Sequence, residues 1–288
     1  MKINKDSLKA RANNISKELH IDQNVIYGRF FFDAFLSRLS ISKYSDKLIL
    51  KGGLYLSSLL GVVNRNTVDI DFCIKSLKME KENVLSIVEE IISEKSDDLI
   101  EFKVLSVHDI RKEDIYGGFS IELIGKLDNV RQVFMVDIAT GDPIIPSEKN
   151  YNYTCLVSKE TLPIRVYSLE SVVAEKLETV LSKQLANSRA KDYYDLFILR
   201  ITQLQNINII DLRKAFREAC NHRNYSITKE EAIFLMSEIR RNEILNSRWN
   251  QYKNKNKYAE TVSFNQTIDS ILDWINDILW VCQLTLKS

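Results

Sequence analysis

The chain has 288 residues, 45% of them hydrophobic, which is enough for one large domain or two modest ones. Its 40 Lys and Arg nearly balance its 39 Asp and Glu, for a formal charge of +1, which excludes polyanion binding over the whole surface and leaves only a local patch for any nucleic-acid contact. With only 8 Gly and 3 Pro, it favours long regular elements over disorder.

The N-terminal 21 residues mix acids with bases and read as a helix, not a targeting segment. Residues 5–19 and 23–39 have helical patterning, the second with Val25, Ile26, Phe30, Phe31, Ala34 and Phe35 on one broad face. Leu48–Leu50 is a short apolar run ended by Gly52-Gly53, where chain reversal is cheap, and residues 54–60 start a helix at that turn. Residues 68–74 read as a strand, 79–95 as an amphipathic helix and 100–107 as a strand. Residues 119–140 read as a hairpin turning at Leu127-Asp128-Asn129. After Pro143, Pro146 and Pro163 the texture changes. Helical periods dominate from Ser168, at about 168–184, 189–203, 209–221, 228–247 and 264–284, with a capping-box pattern from Thr228 to Glu231. The expectation is a mixed α/β part and then an all-helical part, dividing within 145–167. The four cysteines (73, 155, 220 and 282) form no CxxC pair and read as reduced thiols of a cytoplasmic protein. No apolar run is long enough to span a membrane.

Asp69 and Asp71 interrupt the apolar run 68–74. Side chains alternate faces along a strand, so both acids point one way and Val68, Ile70 and Phe72 point into the core. Two carboxylates about 7 Å apart repel, and holding both charged beside a low-dielectric core is costly without a cation. A hard divalent ion such as Mg²⁺ answers that need. The plain alternative is two exposed acids at a strand edge near Arg65. In "QVFMVDIATGDP", Asp137 stands opposite the stripe Phe134, Val136 and Ile138. If the two strands are neighbours, Asp69, Asp71 and Asp137 converge on one metal site able to bind a triphosphate. Alone, Asp137 is equally an ordinary polar-face residue. Gly52-Gly53 is by itself an ordinary turn, but a turn that leads into a helix offers backbone N–H groups to phosphate.

The stretch "LKGGLYLSSLLGVVNRNTVDIDF" resembles the opening motif of nucleotidyltransferase-fold toxins of the AbiEii/AbiGii abortive-infection type, relatives of the MenT toxins. "SLESVVAEKLETVLSKQLANSRAKDYYDLFIL" (168–199) resembles that family's second signature. The resemblance covers about residues 25–200; 205–288 match loosely as a helical tail. It implies an α+β fold, with a polymerase-β-like nucleotidyltransferase core and small mixed sheet over 1–165 and a helical C-terminal domain over 166–288. It also implies Mg²⁺ as cofactor, an NTP substrate and a toxin neutralised by a partner antitoxin, commonly a winged-helix DNA-binding protein. Some relatives transfer nucleotides to tRNA acceptor ends. Asp69 and Asp71 match the catalytic metal-binding pair, and Gly52-Gly53 the nucleotide-binding turn. Lys176 matches the essential lysine and Asp192 the acid of the last motif, while Asp137 fits the third carboxylate. Arg65 flanks the site as a phosphate contact. The chain departs from the wider fold at the turn, where Gly-Ser is usual. Here Gly53 removes the hydroxyl, unless Ser57 or Ser58 reaches back.

Lys176 borders the apolar face of its helix, so its ammonium either emerges at a cleft to hold phosphate oxygens or is one more solvated lysine. Lys191–Asp195 and Arg189–Asp192 are spaced for ion pairs on one helix. Asp192 equally suits holding Lys176 or acting as general base. Residues 239–257 carry six basic residues and one acid around Trp249 and Tyr252. That strip suits an RNA backbone, or it is a solvated helix end whose Trp is core. His20, His108 and His222 fall in no catalytic pattern and read as surface or capping residues. The resulting expectation is a cytoplasmic nucleotidyltransferase toxin acting on an RNA acceptor, with tRNA first. The alternatives are a transferase for a small molecule or protein and an NTP-binding regulator without transferase activity.

Overall fold

A computed structural model of the chain describes residues 3–110, 117–140 and 143–279. They divide into two compact units, Met1–Gly141 with Glu148–Tyr167, and Asp142–Ser147 with Ser168–Ser288.

The first unit contains α1 (Lys5–Leu19), α2 (Gln23–Ile41), β1 (Leu48–Lys51), α3 (Gly52–Leu60), β2 (Asp69–Ile74) and α4 (Lys81–Ser93), then β3 (Glu101–Ile110), β4 (Gly118–Leu127), β5 (Val130–Thr140), β6 (Lys149–Thr154) and β7 (Thr161–Val166). The strands form one mixed sheet in the order β3-β4-β5-β2-β1-β7-β6. β2 runs parallel to β5 and antiparallel to β1. Period-two alternation puts Ile70, Phe72, Phe134, Val136 and Ile138 on one face, all buried. α2 packs there, with Phe35 against Phe72 at 6.1 Å and Phe32 against Phe134 at 5.2 Å between ring centres.

α2 shows more than the single apolar face its sequence implies, because it is buried on nearly all sides. Its buried Arg29 and Asp33 join one polar cluster within the fold. The Tyr153 hydroxyl and the Leu156 N–H both donate to the Asp33 carboxylate, and Arg29 donates to the Tyr153 oxygen. Burial pushes Asp33 up to about 6 even though the Arg29 charge and the Tyr153 hydrogen bond pull it down.

Three expectations change. β6 and β7 occupy the stretch read as a boundary, so the sheet extends beyond the hairpin side. Val68 is 77% exposed and does not enter the core; it lies in a bend and the strand begins at Asp69. The helix expected from residue 54 begins at Gly52, so both glycines belong to its first turn.

The second unit is helical: α5 (Leu169–Lys183), α6 (Ala190–Gln203), α7 (Ile209–His222), α8 (Lys229–Arg241), α9 (Glu243–Lys255) and α10 (Phe264–Ile278). The single helix expected at 228–247 is broken at Asn242, whose side chain accepts the Leu245 N–H and caps α9. Capping boxes at Thr228–Glu231 and Ser263–Gln266 start α8 and α10. Residues 280–284 of the last expected helix, and Cys282, lie outside the described residues. Cys73, Cys155 and Cys220 are buried free thiols. Among the described residues no helix is long and apolar enough to cross a membrane.

Candidate metal and nucleotide site

The acids of the first unit meet because β2 and β5 are adjacent and parallel. Their register sets Asp71 opposite Asp137 and Asp69 opposite Met135. Asp69, Asp71 and Asp137 are half-buried, and one carboxylate oxygen from each lies within 4.8 Å of the others. Local hydrogen bonds aim them. The Thr67 hydroxyl donates to Asp69 and the Ser120 hydroxyl to Asp137. The Gly53 N–H donates to Asp71 Oδ2 at 3.3 Å. Three hard oxygen donors on one face, with no soft ligand among them, suit Mg²⁺.

The glycine turn is built around the same acids. Gly52 has φ +65°, a left-handed backbone that glycine adopts at no steric cost, and a Cβ there would overlap the Asp71 carboxylate. A Cβ on Gly53 would overlap the Thr67 hydroxyl, and the Arg65 guanidinium lies 3.5 Å from that position. This gives a physical reason for the missing serine: Thr67 already fills the space a residue 53 side chain would need. Ser58 donates to the Tyr55 carbonyl, so its hydroxyl is engaged within its own helix. Arg65 is buried beside the turn and donates to the Asn66 carbonyl.

Reading the strands one at a time misses two neighbours of the acids. Lys51 faces Asp71 across the β1–β2 ladder, is buried, and rests its ammonium 4.9 Å from the centre of the Tyr167 ring. Ser120 becomes relevant only through the β4–β5 register that sets it opposite Asp137. The available signal was the stretch "FSIELI", in which Ser120 and Glu122 fall on the polar positions of an alternating strand.

In the second unit, Lys176 on α5 meets α6. Its Nζ lies 2.7 Å from Asp192 Oδ1 and 2.8 Å from Asp195 Oδ2. Burial opposes the charge on Lys176, but the two carboxylates outweigh it and raise the pKa above the usual lysine value. Asp192 also receives Arg189 Nε at 2.9 Å, so the expected Arg189–Asp192 pair is present. Asp195 pairs with Lys176, a partner on another helix that its spacing to Lys191 does not suggest. Both acids are fully buried and close on the ammonium from one side of α6.

The basic strip at 239–257 has a structural core. Trp249 is buried and donates to the Val262 carbonyl at 3.1 Å, and the Tyr252 and Tyr258 hydroxyls lie 3.0 Å apart. Arg240 pairs with Asp269 and Arg248 donates to the Asn187 carbonyl. The aromatics of this strip are therefore packing residues.

A family model described as "Nucleotidyl transferase AbiEii toxin, Type IV TA system" matches residues 34–274. Two solved structures resemble the chain: a proposed nucleotidyltransferase from H. pylori and JHP933 from Helicobacter pylori. Each is 17% identical with a TM-score of 0.49 over 90% of this chain, covering 96% and 93% of theirs. No curated protein sequence matches it. The match over 34–274 spans most of both units and includes Asp69, Asp71, Asp137, Asp192 and Asp195, so the chain belongs to the AbiEii nucleotidyltransferase toxin family of type IV toxin–antitoxin systems, enzymes with a nucleotide substrate and an antitoxin partner.

Proposed function

We propose that Asp69, Asp71 and Asp137 hold Mg²⁺ together with the triphosphate of an NTP, and that the enzyme transfers the nucleotide to the hydroxyl of an RNA acceptor, with tRNA the first candidate. The observation that supports this reading is the convergence of three carboxylates from parallel neighbouring strands beside a helix that begins at Gly52-Gly53. When bound, the metal supplies positive charge to the phosphate oxygens and lines up the reacting groups. The chain's own part is to aim. Thr67, Ser120 and the Gly53 N–H fix the carboxylates. The first turn of α3 offers backbone N–H groups to the leaving phosphates, and Arg65 adds a guanidinium beside it.

In the reaction, the acceptor hydroxyl oxygen forms a bond to the α-phosphorus while the bond from that phosphorus to the bridging oxygen breaks. Pyrophosphate departs with the bonding electrons. The hydroxyl proton passes to Asp137 and on to water. Positioning and electrostatics carry most of the acceleration, as in other phosphoryl-type transfers.

For Lys176 the support is the family signature and the chemistry of a compact cation, with Asp192 as the residue that holds it. Residues 1–165 are assigned to the transferase core and 166–288 to the helical domain. A cytoplasmic location and a winged-helix antitoxin follow from the same resemblance. The test is incubation with each labelled NTP, Mg²⁺ and total RNA, beside Asp69→Ala. Label in tRNA that disappears in the variant supports the reading. NTP binding with no incorporation into any acceptor favours a nucleotide-binding regulator instead.

A further inference from the structure

The face that carries the three carboxylates does not end at β5. The ladder places Ser120 opposite Asp137, and His108 opposite Ser120. One step along, Glu122 stands opposite Met135 and Ser106 opposite Glu122. A bulge between Val104 and Ser106 resets β3, so that Ser106 and His108 fall on the acid side while Val104 and Val107 pair with Leu123 and Ile121 of the apolar side. At about 4.8 Å per strand, this polar strip reaches roughly 14 Å from β2 to the edge strand β3.

The side chains on the strip are joined. The Ser106 hydroxyl donates to Glu122 Oε2 at 2.8 Å and lies 2.8 Å from His108 Nε2. A hydroxyl has one proton. With that proton on Glu122, the imidazole Nε2–H must be the donor to Ser106. His108 is exposed and Glu122 half-exposed. Ser106, His108 and Glu122 thus form one hydrogen-bonded chain on the same sheet face as the carboxylates.

Its direction gives it a role that rests on the transferase reading above. In an in-line displacement the nucleophile and the leaving pyrophosphate lie on opposite sides of the phosphorus. The phosphate-binding turn is at β1 and α3, on one side of the carboxylates. The acceptor therefore approaches from the other side, over β4 and β3. We propose that Ser106, His108 and Glu122 bind the acceptor, and that the group they take is a neutral, hydroxyl-bearing one: the terminal ribonucleoside of an RNA, held by its sugar hydroxyls and base edge. A carboxylate in the cluster disfavours phosphate and accepts hydrogen bonds from hydroxyls and exocyclic amines.

The experiment measures incorporation of α-³²P-labelled NTP against tRNA concentration, with Mg–NTP binding measured separately, for the wild type and for Ser106→Ala, His108→Ala and Glu122→Gln. Periodate-oxidised tRNA, which lacks the terminal diol, is the second acceptor. The expected result is a KM for tRNA raised about tenfold in Glu122→Gln and His108→Ala, the size of one lost hydrogen bond to a polar partner, with Mg–NTP affinity within about twofold of the wild type. Oxidised tRNA should accept no label. An unchanged KM for tRNA, or a loss confined to NTP binding, overturns this assignment and leaves the transferase reading standing. Equal labelling of oxidised tRNA overturns the terminal ribonucleoside as the ligand. No transfer by the wild type with any NTP overturns the transferase reading, and this surface with it.

Discussion

The two units each gather carboxylates, and they do so by opposite means. In the first, three acids from neighbouring strands point at each other and are aimed by hydroxyls and a backbone N–H. In the second, two fully buried acids close on one ammonium, with a guanidinium on the outer side. Three carboxylates converging on one point describe a site that gains from a cation arriving later. Acids closed on a lysine describe a site whose charge is already balanced within the fold. The difference teaches that an acid in a fold is informative through what it faces.

Removing an acid should therefore affect the two units differently. Asp69→Ala should lower transfer by about 10³-fold or more, because the proposed metal site loses one of its three carboxylates. Its unfolding midpoint in urea should be equal to or above that of the wild type, since a repelling carboxylate has gone. A large loss of stability in Asp69→Ala would break the comparison. Lys176→Met should cost stability, which Asp69→Ala should not. It leaves Asp192 and Asp195 buried without their ammonium, a change worth about 3–5 kcal/mol of stability. Adding Asp195→Asn to that variant should recover part of the loss in the same urea titration.

The next effect lies in the core of the first unit. Burial holds Asp33 at about 6 in the folded state against 3.8 in the ordinary state. The folded protein is then the more protonated form between those values, so stability falls as pH rises from about 4 to about 6, by roughly 3 kcal/mol at the limit. Relative to Asp33→Asn, the wild type should gain unfolding free energy as pH is lowered through that window. A difference independent of pH would show that Asp33 stays charged beside Arg29. The smallest effect concerns the turn. Gly53→Ser forces a Cβ against Thr67 and should weaken Mg–NTP binding about tenfold. Gly53→Ser with Thr67→Ala should recover much of it, and failure to do so would show that the turn needs the Thr67 hydroxyl itself.

Much of the site could be read from the sequence because strand alternation is a local property. Asp69 and Asp71 share a face whatever β2 pairs with, and Asp137 faces away from Val136 and Ile138 by the same rule. That these faces join depends on the parallel pairing of β2 with β5 across more than sixty residues, which no local pattern encodes. The same holds for Lys51, Ser120 and the strip from Ser106 to Glu122, where register and a bulge decide the neighbours. β7 carried a signal in the alternation Leu162, Ile164 and Val166, all buried. Pro163 obscured it, since proline is rare inside strands; here it sits on the outward side, opposite Asn152. The break between α8 and α9 had a local signal too, an Asn at the cap position followed by an acid, but the apolar period runs across it. Val68 failed for a simpler reason: the apolar composition extends one residue beyond the ladder.

Position-specific labelling of the NTP asks whether the β2–β5 carboxylates carry nucleotidyl transfer. With total tRNA and Mg²⁺, α-³²P should appear on the acceptor and γ-³²P only in released pyrophosphate, and neither should be transferred by Asp69→Ala. Transfer of the γ-label, or α-labelling undiminished in Asp69→Ala, would contradict that role.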